Sequence, residues 1–205
     1  MENTTDLDTF CCGPRQYPDA VIGRIEPAGA RGKKRLILTG TGSVRVPRAS
    51  LQNAWGKHTD DIIHVTIGEG LLELESDVFA GLRNVRSVYF PRTLKAIYSG
   101  AFSECGKLKT ADLPDALRYI GPGAFQGCLS LAETTFGSSL KNIQADAFRG
   151  CRNLNKLTFP SDVTEIGESA FADTGVERIV LPDGIEDLPK GCFSHCEKLK
   201  EVTAG

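Results

Sequence analysis

Phenylalanine returns at a nearly constant interval along this chain. It occurs every 23 residues, with one interval of 22, at Phe79, Phe102, Phe125, Phe148, Phe171 and Phe193. The surrounding residues repeat as well, so that segments 85–107, 108–130 and 131–153 are versions of one unit. A fixed period in this range is typical of a solenoid, in which each unit stacks on the one before it. The chain is therefore predicted to present one long surface rather than an enclosed pocket.

Apolar residues recur at the same positions when the residues of each repeat are numbered from 1, beginning at residues 62, 85, 108, 131, 154 and 176. Positions 4 and 6 are apolar and alternate with outward positions 3 and 5, which predicts a short half-buried strand. Proline or glycine at position 7 ends that strand. Positions 10 and 13 predict a second extended segment, with position 13 running from Leu74 to Leu188. Phenylalanine at position 18 and the residue at position 21 are predicted to be buried together by one helical or 3₁₀ turn.

The repeats divide the chain into a predicted arm, a cap, a stack and a last strand. Residues 1–34 lack periodicity, and we expect a mobile or extended arm that orders on a partner. Residues 35–61 are predicted to form an N-terminal cap in which Leu36, Leu38 and Trp55 cover the first core face. Residues 199–205 begin a further strand, which closes the stack, docks on another chain or continues into residues beyond 205. The six repeats are 62–84, 85–107, 108–130, 131–153, 154–175 and 176–198.

Seven cysteines raise the question of a disulfide framework. Four of them, Cys105, Cys128, Cys151 and Cys196, occupy position 21, where two other repeats carry Leu82 and Thr174. Leucine or threonine can replace a small buried thiol but not a disulfide partner, so we expect buried, reduced cysteines. The adjacent pair Cys11-Cys12 lies outside the repeats, and its role stays open.

The repeat unit resembles the 23-residue class of BspA-type leucine-rich repeats. The resemblance rests on the proline, Ile-Gly, Ala-Phe and cysteine positions and covers residues 62–198. It implies an α/β-type solenoid, with a right-handed stack, a parallel sheet on the concave face and short helical or 3₁₀ turns elsewhere. The segment from Arg35 to Ser43, followed by Trp55, also resembles the start of some family members. The unit departs from the pattern at Gly68, Gly137, Leu82 and Thr174, and repeat five is one residue short.

Chemical motifs are few, so neither an enzyme nor a cofactor or metal site is predicted. The run Gly40–Ser43 resembles a phosphate loop, but no Gly-Lys-Ser/Thr follows it. Cys192, His195 and Cys196 have metal-binding side chains, but the two cysteines occupy core positions and no second cluster completes a ligand set. No histidine has an obvious nucleophile partner.

The charge and hydropathy of the chain predict neither a nucleic-acid partner nor a membrane-spanning segment. The formal charge is −2, and basic residues such as Arg86, Arg92 and Lys95 are interspersed with acids, so no nucleic-acid partner is predicted. No apolar stretch approaches the roughly 18–20 residues that span a bilayer. The opening residues lack the basic and apolar regions of a secretory signal, so a cytoplasmic or intracellular location is expected, with the cell surface as the alternative.

The outward strand positions are the predicted binding surface. They vary in charge and size from repeat to repeat, unlike the core positions, and the exposed sheet of a solenoid is its usual recognition face. Tyr89 is the predicted aromatic anchor, with Lys156 and Arg178 as charged partners. The candidate partner-binding residues are His64, Thr66, Ser87, Tyr89, Thr110, Asp112, Glu133, Thr135, Lys156, Thr158, Arg178 and Val180.

These observations predict a non-catalytic protein–protein interaction module. An intracellular scaffold or structural subunit of a larger assembly is the favoured form, with end-on contact through the C-terminal repeat as one mode of assembly. Because BspA-type relatives are often adhesion proteins, a cell-surface adhesin that binds host or matrix protein is the alternative. An enzyme or small-ligand binder is the remote alternative, and it would use residues of the cap such as His58, Asp60 and His64.

Overall fold

The computed structural model describes residues 8–14, 16, 20–29, 32–45 and 55–204. Fifteen strands are present in that part of the chain, together with a 3₁₀ turn at Gly56–His58. Strands β1 to β4 precede the first repeat: β1 Asp8–Cys11, β2 Val21–Pro27, β3 Lys34–Gly40 and β4 Gly42–Val44. The repeats contain β5 Ile62–Ile67, β6 Leu71–Leu74, β7 Ser87–Tyr89, β8 Ala96–Ile97, β9 Thr110–Asp112, β10 Tyr119–Ile120, β11 Glu133–Thr135, β12 Asn142–Ile143, β13 Glu165–Ile166, β14 Arg178–Leu181 and β15 Glu201–Ala204.

The coils of repeats one to four each contribute one strand to each of two sets of parallel strands. The second sheet is continuous, with the order β4-β6-β8-β10-β12-β13. The first strands form separate groups, ordered β1-β2-β3-β5-β7, β9-β11 and β14-β15. Neighbouring strands of the repeats pair residues 23 positions apart, such as Ile120 with Ile143. The predicted solenoid of parallel strands is therefore confirmed.

The phenylalanines of position 18 form one column of rings through the core. Successive ring centroids lie 5.0–5.7 Å apart, and the rings are nearly parallel. Each ring except that of Phe193 is fully buried. Main-chain bonds at the same turn join the coils, because the Phe125 N–H donates to the Ala147 carbonyl at 2.7 Å. The Cys128 N–H donates to the Phe125 carbonyl, so the predicted 3₁₀-type turn is also present.

The N-terminal end of the ring column is covered by the cap. Trp55 stacks on Phe79 at 5.9 Å, and its indole N–H donates to the Val78 carbonyl at 3.0 Å. Leu36 and Leu38 of β3 are fully buried beside it. All three residues therefore lie where the sequence placed them.

The prediction that residues 1–34 form a mobile or extended arm is wrong for the described part of that segment. Strand β2 pairs antiparallel with β1 on one side and with β3 on the other, and Phe10 packs edge-on against Trp55 at 6.0 Å. An antiparallel ribbon needs no 23-residue period, so a search for the repeat could not find it. The alternating buried residues Val21, Gly23 and Ile25 were the available signal.

Two predicted extended segments of the later repeats differ in the structure. In repeat five the first segment makes only an isolated bridge between Lys156 and Glu133. In repeat six the second segment is not a strand, and Leu188, predicted to lie in the core, is 45% exposed. Strand β15 covers the first strand of repeat six, but within the described residues no strand pairs with its second segment.

Candidate protein-binding face

The predicted binding residues lie on the outer side of the first strands. All twelve side chains are exposed or half-buried, while the inward positions between them form the core. Tyr89 is 55% exposed and Val180 is 60% exposed, which makes them the large apolar side chains of this face. We call the twelve residues the outward ladder.

Strand pairing brings neighbouring members of the outward ladder together. His64 lies opposite Ser87, and Thr66 lies opposite Tyr89. The His64 Nδ1 and Ser87 Oγ atoms are 2.7 Å apart. In the next group Asp112 lies opposite Thr135, whose hydroxyl donates to the Asp112 carboxylate at 3.3 Å.

Charged members of the outward ladder form exposed ion pairs. The Lys156 ammonium donates to the Glu133 carboxylate at 3.2 Å, and the Arg178 guanidinium lies 3.8 Å from the Glu201 carboxylate. Exposed pairs of this kind contribute only about 0–1 kcal/mol to stability, so a partner can replace them at little cost. The ladder thus offers an aromatic ring, hydroxyls and exchangeable charges in one row.

A cavity of about 410 Å³ opens in the outward ladder between repeats four and five. Its apolar floor is formed by Phe136 and Phe159, whose rings stack at 5.9 Å and are only half-buried. Thr135, Lys156 and Thr158 of the ladder lie at its rim. The cavity adjoins the repeat-five segment that lacks regular strand pairing. It can accept an apolar side chain while the rim supplies polar contacts.

Sequence reasoning missed residues that extend the ladder at both ends. On β3, Arg35 lies opposite His64 and Ile37 lies opposite Thr66. On β15, Glu201 and Thr203 lie opposite Arg178 and Val180. The alternation of inward and outward residues continues into residues 35–37 and 201–203, and extending it there would have identified all four residues.

The cysteine column is buried and held by hydrogen bonds across coils. The Cys128 thiol donates to the Phe102 carbonyl at 3.3 Å, and Cys105 and Cys151 repeat this contact. Burial raises the pKa of the Cys105 thiol well above its ordinary value. Burial of these cysteines is therefore confirmed, and a protonated thiol in this position is neither a good nucleophile nor a metal ligand.

The remaining chemical candidate, Cys192-Phe193-Ser194-His195-Cys196, does not converge on one site. Both cysteines are buried, and the Cys196 thiol donates to the Phe171 carbonyl at 3.2 Å. His195 is exposed and lines a separate polar cavity of about 330 Å³ with Asp173. Throughout the described residues, no group of three or more His, Cys, Asp or Glu side chains is placed to hold a metal ion.

Comparison with known sequences decides the family. A family model of the BspA-type leucine-rich repeat region matches in six copies, over residues 52–174 and 120–205. The chain belongs to the BspA-type leucine-rich repeat family. Proteins of this family are generally non-catalytic binding modules, so a protein-interaction or adhesin-like role follows for the chain.

Two solved structures are similar in fold to this chain. A leucine-rich repeat protein of T. pallidum is 20% identical, with a TM-score of 0.52, and the match covers 93% of this chain and 81% of that one. The pneumococcal vaccine antigen PcpA is 16% identical, with a TM-score of 0.56, and the match covers 90% and 68%. The search of curated proteins returned no match. Within the described residues, no helix has the length and apolar character needed to cross a membrane.

Proposed function

We propose that this chain is a non-catalytic protein-binding module that recognises its partner through the outward ladder. The observation that carries the proposal is the contrast within one strand. Inward positions of the first strands are filled by apolar side chains in every repeat except at Thr134, while outward positions are exposed or half-buried and differ from repeat to repeat. Residues free of packing constraints can be matched to a partner surface.

Two places on the outward ladder are expected to contribute most of the binding energy. Tyr89 offers a large, rigid and exposed ring, the kind of side chain that is enriched among binding hot spots. The cavity above Phe136 and Phe159 can accept an apolar side chain of the partner. Arg178 adds a charge that a partner carboxylate can take over from Glu201.

We propose an intracellular scaffold or structural subunit as the setting. Its support is the free state and burial of most of the cysteines, which suits a reducing compartment. The family favours a second candidate, a cell-surface adhesin, because BspA-type proteins are often found at the cell surface. Recovery of one stoichiometric assembly after affinity capture would favour the subunit. Labelling of intact cells by an impermeant reagent would favour the adhesin.

The ladder itself is tested with a double variant, Tyr89→Ala with Arg178→Glu. A partner is first identified by affinity capture and mass spectrometry, and its affinity for the purified full chain is then measured. We expect the double variant to weaken binding at least tenfold, because hot-spot residues typically contribute about 2 kcal/mol or more each.

The matched control is Leu129→Ala with Arg152→Glu, which truncates one exposed large apolar side chain and reverses the charge of one exposed arginine outside both sets of strands. Both proteins should keep the wild-type circular dichroism spectrum. If the two variants lose affinity equally, or if the ladder variant binds as the wild type does, the outward ladder is not the recognition surface.

A further inference from the structure

Three basic side chains stand in one row beside the second sheet. Lys95, Arg118 and Lys141 occupy position 11 of successive repeats, directly before β8, β10 and β12. The Arg118 N–H donates to the Lys95 carbonyl at 2.9 Å, and the Lys141 N–H donates to the Arg118 carbonyl at 3.0 Å. The three residues are therefore in register, about 4.8 Å apart from coil to coil. The sequence prediction that basic residues are merely interspersed with acids misses this row.

No carboxylate among the described residues forms an ion pair with this row of positive charges. All three side chains are exposed, and in the described part of the chain none of them makes an ion pair. Like charges placed side by side on neighbouring strands repel one another. A row of this kind is stabilised by an anion that contacts several of its members at once.

Acids in the coils on either side of the row are engaged by other side chains. The Glu73 carboxylate accepts a hydrogen bond from the Ser43 hydroxyl at 2.7 Å. The Glu165 carboxylate accepts from the Asn142 side-chain amide at 2.6 Å and from Gln144 at 2.9 Å. In the strand register Glu73 and Glu165 flank Ala96, Tyr119 and Asn142, so that one acid stands in each of the two coils that border the three basic ones.

Two half-buried tyrosines lie in the coils of the basic row. Tyr119 directly follows Arg118, and Tyr98 lies three residues after Lys95. Their rings are 5.7 Å apart and inclined at 51° to each other. A half-buried tyrosine exposes part of an apolar ring together with a polar hydroxyl, so the pair can contact a ligand that the row holds.

We propose that this face of the second sheet binds an acidic polysaccharide, with Lys95, Arg118 and Lys141 contacting its anionic groups and Tyr98 and Tyr119 contacting the sugar rings. Such a ligand carries anionic groups on sugar rings with apolar faces, so it suits three cations in a row with two tyrosine rings in the same coils. A nucleic acid offers a uniformly anionic backbone, which Glu73 and Glu165 would repel beyond the three basic coils. This surface is separate from the outward ladder and does not depend on its function.

The test measures binding of the full chain to a heparin oligosaccharide, with a double-stranded DNA oligonucleotide of equal charge as the second probe. The triple variant Lys95→Gln, Arg118→Gln, Lys141→Gln should weaken binding of the heparin oligosaccharide at least tenfold and reduce its salt dependence. The variant Tyr119→Ala, which changes no charge, should weaken the same binding severalfold. The DNA oligonucleotide should bind more weakly than heparin.

A matched triple variant removes the same charges from another edge of the molecule. Arg86→Gln, Lys107→Gln, Lys109→Gln also replaces one arginine and two lysines, all exposed, and should change heparin binding less than twofold. All variants should melt at the wild-type temperature. Equal losses in both triple variants, or no heparin binding near 0.15 M salt, would overturn the proposal. If DNA binds more tightly than heparin, and the triple variant of the basic row loses that binding, the ligand of this surface is a nucleic acid and the polysaccharide proposal is wrong.

Discussion

The two strand sets of the coil are built from the same repeats, yet one is continuous and the other is interrupted. The second sheet pairs without a break from β4 to β13, whereas the first strands fall into three groups. The inward residues differ in the same way. Position 13 holds leucine or isoleucine wherever a second strand forms, while position 4 ranges from Ala111 and Thr134 to Leu157.

We attribute the interruption to this difference in side-chain volume. Protein interiors are closely packed, so side chains of equal size keep neighbouring coils at one spacing along the column. Where Ala111 and Thr134 are followed by Leu157, the spacing must adjust, and regular pairing stops at repeat five. The uniform side, comprising position 13 and the phenylalanine and cysteine columns, therefore holds the stack in register. The variable side carries the outward ladder, as expected if binding surfaces come from less rigid regions.

Replacing one phenylalanine by alanine on the uniform side and one on the variable side should give the largest difference in stability. Phe125 is fully buried between two parallel rings at 5.2 and 5.1 Å, so Phe125→Ala should lower the free energy of unfolding by about 3–5 kcal/mol. Phe159 is half-buried over the cavity of the variable side, so Phe159→Ala should lower it by about 1–2 kcal/mol. Chemical denaturation measures both values. Equal losses of unfolding free energy in the two variants would mean that the uniform and variable sides contribute equally to stability.

Amide hydrogen exchange should separate the two sides without any mutation. The amides of β10 and β12, inside the continuous sheet, should exchange only on global unfolding. The amides of residues 157–159, which lie outside any regular strand, should exchange at least about 100-fold faster through local opening. Similar protection in both segments would show that the break has no energetic consequence.

The sequence was sufficient to predict the columns but not the ends of the stack. A column prediction needs only equal spacing and matched residue type, so Phe125 and Cys128 were placed correctly. Leu188 has the right type and spacing, but burial also requires a neighbouring layer, which a repeat pattern does not supply. The ribbon that includes Phe10 was missed because it pairs antiparallel and follows another period.

The candidate surfaces could be predicted only in part. Alternation along a strand places Tyr89 and Arg178 outside, and the structure agrees. The alternation predicts that these residues are exposed. It carries no information about a partner, so it cannot predict whether either residue binds one. Lys95, Arg118 and Lys141 are each separated by 22 intervening residues, so the row is visible only when the repeats are aligned by position.

High pH should destabilise the protein through its buried thiols. Burial raises the pKa of Cys12 to about 11 and that of Cys192 to about 12, from 9.0, and raises the pKa of Cys105 well above that value. Unfolded thiols ionise from pH 9 upward while the folded thiols stay protonated. The stability they provide is therefore complete below pH 9 and is lost as pH rises toward the folded pKa. At pH 10 each thiol should lower the free energy of unfolding by about 1.4 kcal/mol.

The control for the thiol prediction is Cys105→Thr, which places threonine where Thr174 already stands in repeat five. Between pH 8 and pH 10 this variant should lose about 1.4 kcal/mol less than the wild type in chemical denaturation. The same loss in both proteins would show that the thiol at residue 105 does not ionise on unfolding as proposed.

The smallest expected change in stability concerns the backbone of the uniform side. One backbone conformation is kept in every repeat, although the residue that adopts it differs. Positions 16 and 20 have a positive φ in all six repeats, and position 20 is glycine in three of them. Glu104, with φ 61°, holds this strained conformation with an exposed side chain, so Glu104→Gly should raise the free energy of unfolding by about 0.5–1 kcal/mol. Gly150→Ala, at φ 76° in the same position, should lower it by about 1 kcal/mol.

A third substitution separates strain from the general effect of exchanging glycine. Gly106 lies outside the positive-φ set, and no atom lies within 4 Å of an added Cβ there. Gly106→Ala should therefore be neutral or stabilise by up to about 1 kcal/mol, because alanine restricts the unfolded chain. Thermal and chemical denaturation of the three variants give the signs. If Glu104→Gly and Gly150→Ala shift stability in the same direction, the uniform side does not depend on one backbone conformation at this turn, and the size of its core side chains alone keeps the coils in register.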